Sequence, residues 1–125
     1  MPIRSRAKSI KFGGISLDEW LDVLLINALP YDVYERHSLE ECAWLVLNYW
    51  LNSKPRRWGW SWGSWLSFAV FDGNEYYDAL SYEEKERLDR MLLRYLEELA
   101  EKVEKDERKV AKLEKELRKL LGYLD

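Results

Sequence analysis

The chain contains no glutamine and no threonine, a single cysteine, a single histidine and, apart from Met1, a single methionine. Each shortage excludes something. Cys42 alone can form no intrachain disulfide and no cysteine-based metal cage. His37 and Cys42 are five residues apart, about 140° around a helix, so they do not face one another as a nucleophile–base pair would. No nucleophile-elbow sequence, phosphate-cradling glycine loop or dinucleotide fingerprint occurs. The longest stretch free of charge, residues 58–71, has 14 residues, whereas a membrane-spanning helix needs about 20. The N-terminus carries charges but no apolar run of the secretory kind. These features predict a soluble, intracellular protein, or a virion-associated one if the source is viral. Few thermolabile side chains beside 34% charged residues point to a thermophile.

What the chain does have is tryptophan, tyrosine and segregated charge. Seven Trp and eight Tyr occur in 125 residues, and 47% of residues are apolar, enough for a real core. The net charge of −3 conceals two basic islands. Residues 1–11 hold Arg4, Arg6, Lys8 and Lys11 with no acid, and residues 54–71 hold Lys54, Arg56 and Arg57 with no acid. Between them, residues 12–53 hold seven acids and the single base Arg36.

Local signals divide the chain into three parts: a basic arm over residues 1–15, a helical body over 16–80, and a heptad helix over 81–125. The arm ends at Gly13-Gly14, and its alternating charges suit an extended strand. Three sequences of capping-box form, Ser16-Leu17-Asp18-Glu19, Ser38-Leu39-Glu40-Glu41 and Ser81-Tyr82-Glu83-Glu84, mark three helix starts. After the first, apolar residues at 17, 20, 21, 24, 25, 28 and 29 form a core-facing stripe, and Pro30 ends or kinks the helix. After the second, only Asn48 is polar from residue 42 to 51, the mark of a central buried helix. Asp72-Gly73-Asn74 is a turn signal, so residues 65–79 read either as a hairpin or as a short helix.

The third start opens a heptad. With Leu96 at position a, nine of eleven seam positions from residue 89 to 124 are apolar, and no Gly or Pro falls between residues 75 and 121. Forty helical residues span about 60 Å, against roughly 35 Å for a compact body of this size. The pattern predicts one long helix that pairs with a second copy through Leu92, Leu96, Leu99, Val103, Val110, Leu113, Leu117 and Leu120. Asp106 sits at a d position, either as a register-setting contact between chains or as the bend of a hairpin within one.

For function, the leading feature is residues 54–62. Lys54, Arg56 and Arg57 precede Trp58, Trp60 and Trp62. Bases can hold a phosphate backbone while neighbouring rings stack on unpaired bases. A basic arm can track phosphates or enter a minor groove. The expectation is a non-catalytic, self-associating assembly protein that contacts DNA or RNA through the arm and this stretch, with no cofactor. The alternative is a protein-only scaffold or adaptor, including a virion-type structural protein, whose Trp residues are core. A third class, a metal-dependent enzyme, would rest on Asp18 and Asp22 at i, i+4. A calcium loop opening at Asp72 fails, with Tyr76 at its fifth position and Tyr77 where glycine is obligatory. The strand–helix–helix order is that of a ribbon-helix-helix, but the connection over residues 28–37 is too long for that fold's turn. The fold class expected is mainly α: a small helical body with a Trp-rich loop or hairpin, followed by a long coiled-coil-like helix.

Overall fold

The structure is a computed structural model that describes residues 2–51 and 70–122. Those residues form seven helices and one two-stranded antiparallel sheet: α1 (Ile3–Arg6), β1 (Lys11–Phe12), β2 (Ile15–Ser16), α2 (Leu17–Ala28), α3 (Tyr31–Arg36), α4 (Leu39–Leu51), α5 (Glu75–Asp78), α6 (Tyr82–Glu104) and α7 (Glu107–Gly122). The fold is mainly α, as the sequence predicts. No described helix is long and apolar enough to cross a membrane.

The three serine starts hold, but only one forms the complete reciprocal box. At Ser81 the side chain accepts from the Glu84 amide, and the Glu84 carboxylate accepts from the Ser81 amide. At Ser16 the Glu19 carboxylate is bonded by the serine hydroxyl. At Ser38 the third-position Glu41 is engaged by the His37 ring at 3.0 Å. A carboxylate that finds a nearer donor does not return to the cap amide.

The predicted apolar faces become the core. Leu17, Trp20, Leu21, Leu24 and Leu25 of α2 are buried. Residues 42–47 of α4 are buried on every side, because α4 packs against α2, α6 and α7. Pro30 ends α2 as expected, and it also opens the short α3, since a fixed φ near −57° suits the residue before a helix. The turn signal at residues 72–74 leads into a helical turn, not a strand: Gly73 takes φ +78°, and the Asn74 side chain accepts from the Tyr77 amide at 3.0 Å. Buried residues from Ile3 to Leu120 belong to one hydrophobic cluster.

Two expectations are corrected. The first concerns the N-terminus. Residues 3–6 are not extended; they make one helical turn docked on α6. Ile3 and Ala7 are buried, and the Glu98 carboxylate accepts from the Ile3 and Arg4 amides, each at 3.3 Å. The free amides at a helix start are satisfied by a side chain 94 or more residues away, an anchor that no local pattern reveals.

The second concerns the C-terminal segment. It is not one helix. α6 stops at Glu104 and α7 begins at Glu107. Lys105 keeps helical angles, and Asp106 leaves the helix, its Oδ1 accepting from the Arg108 amide (3.1 Å) and the Lys109 amide (3.3 Å). Asp106 is therefore a helix N-cap at a bend within the chain. Geometry explains the break. The 23 residues of α6 span about 35 Å, already the width of the body. The α7 helix turns back onto α4 and α6. The heptad leucines are used inside one chain: Leu92, Leu96, Leu99, Val103, Leu113 and Leu120 are buried, and Val110 and Leu117 are half-buried. Burying each against its own chain recovers about 1.5–3 kcal/mol that an exposed seam would forgo. The break needs no positive φ, so the absence of Gly and Pro did not forbid it.

Replacing Asp106 by Ala should cost about 1 kcal/mol in urea-induced unfolding through loss of the α7 cap. Asp106→Leu should likewise destabilise and leave the solution mass unchanged. A stabilised, heavier Asp106→Leu protein would restore the continuous paired helix.

Candidate nucleic-acid interface

The four bases of the N-terminal unit are held by a compact anchor. Gly13 and Gly14 take φ +60° and +81°, which lets the chain reverse between β1 and β2. A side chain at Gly13 would also meet Leu80 at 3.0 Å. Phe12 is buried, and its carbonyl accepts from the Trp20 indole N–H at 3.1 Å. Arg87 lies over the Phe12 ring at 5.6 Å. The unit is thus tied to α2 and α6.

On this anchor the bases separate into two kinds. Arg4 pairs with Glu40 of α4 at 2.7 Å, so it serves docking. Arg6, Lys8 and Lys11 are exposed, with no ion pair among the described residues. Three cations on a fixed unit have less freedom to lose on binding than three on a loose arm. Beside them, Pro2, Arg4 and Ser5 face Glu98, Glu101, Lys102 and Lys105 across an open groove of about 700 Å³, whose charge is mixed. The second basic group, Lys54, Arg56, Arg57, Trp58, Trp60 and Trp62, lies outside the described residues.

The chemistry weighed for an enzyme is differently arranged. Asp18 accepts from the Tyr95 hydroxyl at 2.5 Å. Burial, and then the Asp18 and Glu19 charges, push the Asp22 carboxyl up. Among the described residues no three metal-capable side chains gather. His37 holds Glu41; burial alone would raise that carboxyl, but hydrogen bonds from His37 and Ser38 keep it low. The Cys42 sulfur points at the Tyr34 and His37 carbonyls, not at the imidazole. Burial pushes its thiol up to about 12, far from the thiolate a nucleophile needs.

No family model, curated protein or solved structure matches the chain.

One buried polar group escaped the sequence reading. Asp89 is 7% exposed in the core, with the Tyr77 hydroxyl 3.1 Å from both carboxylate oxygens. Tyr77 stacks on Phe71 at 4.6 Å, and both present their faces to the edge of Trp20 or the reverse, at 6.1 and 5.5 Å. Burial raises the Asp89 carboxyl to about 7, with the Tyr77 hydrogen bond opposing. The only hint in the sequence is an acid at a heptad a position. A perturbed carboxyl can mark a reactive site, but here its hydroxyl partner is locked in aromatic packing, which makes it a structural link between α5 and α6.

The folded state holds the Asp89 proton more tightly than the unfolded chain, so unfolding releases it between about pH 4 and 7. Stability contributed by this site should fall as pH rises through that window, by on the order of 2–4 kcal/mol in total. Asp89→Asn keeps an acceptor for Tyr77 and should flatten that slope. Identical pH–stability curves for the two proteins would refute the assignment.

Proposed function

We propose that this chain is a non-catalytic binding module for nucleic acid, which it contacts through Arg6, Lys8 and Lys11 and through the basic-aromatic residues Lys54, Arg56, Arg57, Trp58, Trp60 and Trp62. The observation that carries the reading is the division of labour among the N-terminal bases. Arg4 is consumed in docking, yet the three others stay exposed and unpaired among the described residues, on a unit whose backbone is anchored by Glu98 and Trp20. Phosphate contacts position a nucleic acid without reading its sequence, so this surface favours general backbone binding. In residues 54–62, alternate Trp side chains beside three bases suit the stacking of unpaired bases.

The overall charge of −3 works against this at long range. At physiological ionic strength it is screened beyond about 8 Å, so a local island dominates at contact. The catalytic alternative is weaker, since Asp18, His37 and Cys42 each have a hydrogen-bonding role. A second reading, a protein-only adaptor, draws on Tyr31, Tyr76 and Tyr82, all more than 60% exposed. Exposed tyrosines are favoured anchors in protein interfaces. Pairing with a second copy through the C-terminal seam would have to displace leucines already buried within the chain.

Binding to duplex and single-stranded nucleic acid should be measurable at about 50 mM salt and weaken steeply toward 200 mM. The Arg6→Gln/Lys8→Gln/Lys11→Gln protein should lose about 2.7 from the magnitude of the log K against log salt slope on duplex DNA. Absence of any binding by the unaltered chain at the lower salt would overturn the proposal.

A further inference from the structure

Helix α7 carries a row of one sign. Arg108, Lys112, Lys115 and Lys119 are spaced i, i+4, i+7, i+11, and all are exposed. At about 100° per residue they fall within roughly 60° of arc. The buried Leu113 and Leu120 lie on the far side of the helix. None of the four makes an ion pair among the described residues. The one acid placed to neutralise the row, Glu116 at i+4 from Lys112, is taken by Arg36 of α3 at 2.7 Å. Like charges at these separations work against the helix, and only Lys119, in the last turn, is favoured by the helix dipole.

We propose that Arg108, Lys112, Lys115 and Lys119 form a second phosphate-contacting ridge, which lies along the phosphodiester backbone of a nucleic acid. This rests on the nucleic-acid reading above but adds a surface that reading does not use. The ridge is about 16 Å long, a length over which a duplex carries about nine phosphates along its axis, both strands counted. It runs toward the N-terminal unit: Lys105, three residues before Arg108, lines the groove with Pro2, Arg4 and Ser5. A lipid surface fits less well, because the apolar face of α7 is in the core and cannot insert, which leaves charge attraction alone. A second copy could offer the exposed Glu97, Glu101 and Glu104 of α6. Such pairs are each worth at most about fivefold in an equilibrium constant, and neither row holds an apolar anchor. A nucleic acid adds the release of its condensed counterions, which three glutamates lack.

The test is equilibrium binding of the full chain to duplex DNA, duplex RNA and single strands of mixed sequence across a salt series, with solution mass measured in parallel. In Arg108→Gln/Lys112→Gln/Lys115→Gln/Lys119→Gln the slope magnitude on duplex should fall by about 3.6, and affinity at low salt by at least about tenfold. The change should add to that of the Arg6→Gln/Lys8→Gln/Lys11→Gln protein. On single strands the loss per residue should be smaller, in the ratio of about 0.7 to 0.9. Circular dichroism checks the fold; if the fourfold variant does not fold, Lys112→Gln/Lys115→Gln should show about half the slope change. A ridge variant with unaltered slope and affinity, beside an N-terminal variant that loses both, overturns the ridge and leaves the proposed function standing. An unaltered chain that binds nothing overturns both. A mass that falls in the ridge variant while nucleic-acid binding is unchanged assigns the row to pairing with a second copy and overturns the ridge.

Discussion

One carboxylate oxygen, Asp106 Oδ1, accepts from the Arg108 and Lys109 amides in the first turn of α7. Much of the molecule follows from that cap. From residue 82 onward there is no proline and no glycine until Gly122, so a helix of sufficient amphipathicity would run on past the body. The cap gives the chain a place to leave the helix at little cost, since the amides released from α-helical pairing find a partner at once. α7 can then fold back over α4, where Leu113 and Leu120 are buried. The same turn brings Glu116 to Arg36 and leaves the opposite face of α7, with its row of bases, toward solvent.

Polar groups that bridge distant segments do the remaining positioning. Glu98 receives the start of α1, Arg4 reaches Glu40, Tyr95 reaches Asp18, and Tyr77 reaches Asp89. Each joins segments that lie far apart in the chain or belong to different helices. The one ion pair among them, the half-buried Arg4–Glu40, contributes little to stability. The buried Tyr77–Asp89 contact matters more, because a carboxyl without its donor in that place would be left unsatisfied in the core. Such contacts specify which helix faces meet. The leucines supply most of the free energy, but leucine packing alone tolerates many arrangements.

Charge on this small surface is segregated. Exposed bases stand in groups on the N-terminal unit and along α7, acids collect on α2 and at the start of α4, and α6 carries both signs. Segregation of this kind creates local fields that net charge does not report. The proposed contacts with nucleic acid rely on those local fields.

Much of the helical plan was legible in the sequence. The stripe at residues 17–29, the apolar run at 42–47 and the serine starts at 16, 38 and 81 depend on neighbours within a turn or two, so the chain itself declares them. The positive character of Arg6, Lys8 and Lys11 was equally plain, but their freedom was not: only docking shows that Arg4 is spent and the others are not. Three features were illegible for one reason, that their partners are remote. Residues 3–6 are helical because Glu98 lies at their amides, Asp89 is tolerable because Tyr77 faces it, and the heptad serves the chain's own core because α4 offers it a surface. The heptad pattern determined that a long apolar seam must be covered. What covers it was decided only in three dimensions, because a seam buried by its own chain and one buried by a second copy require the same leucines at the same spacing.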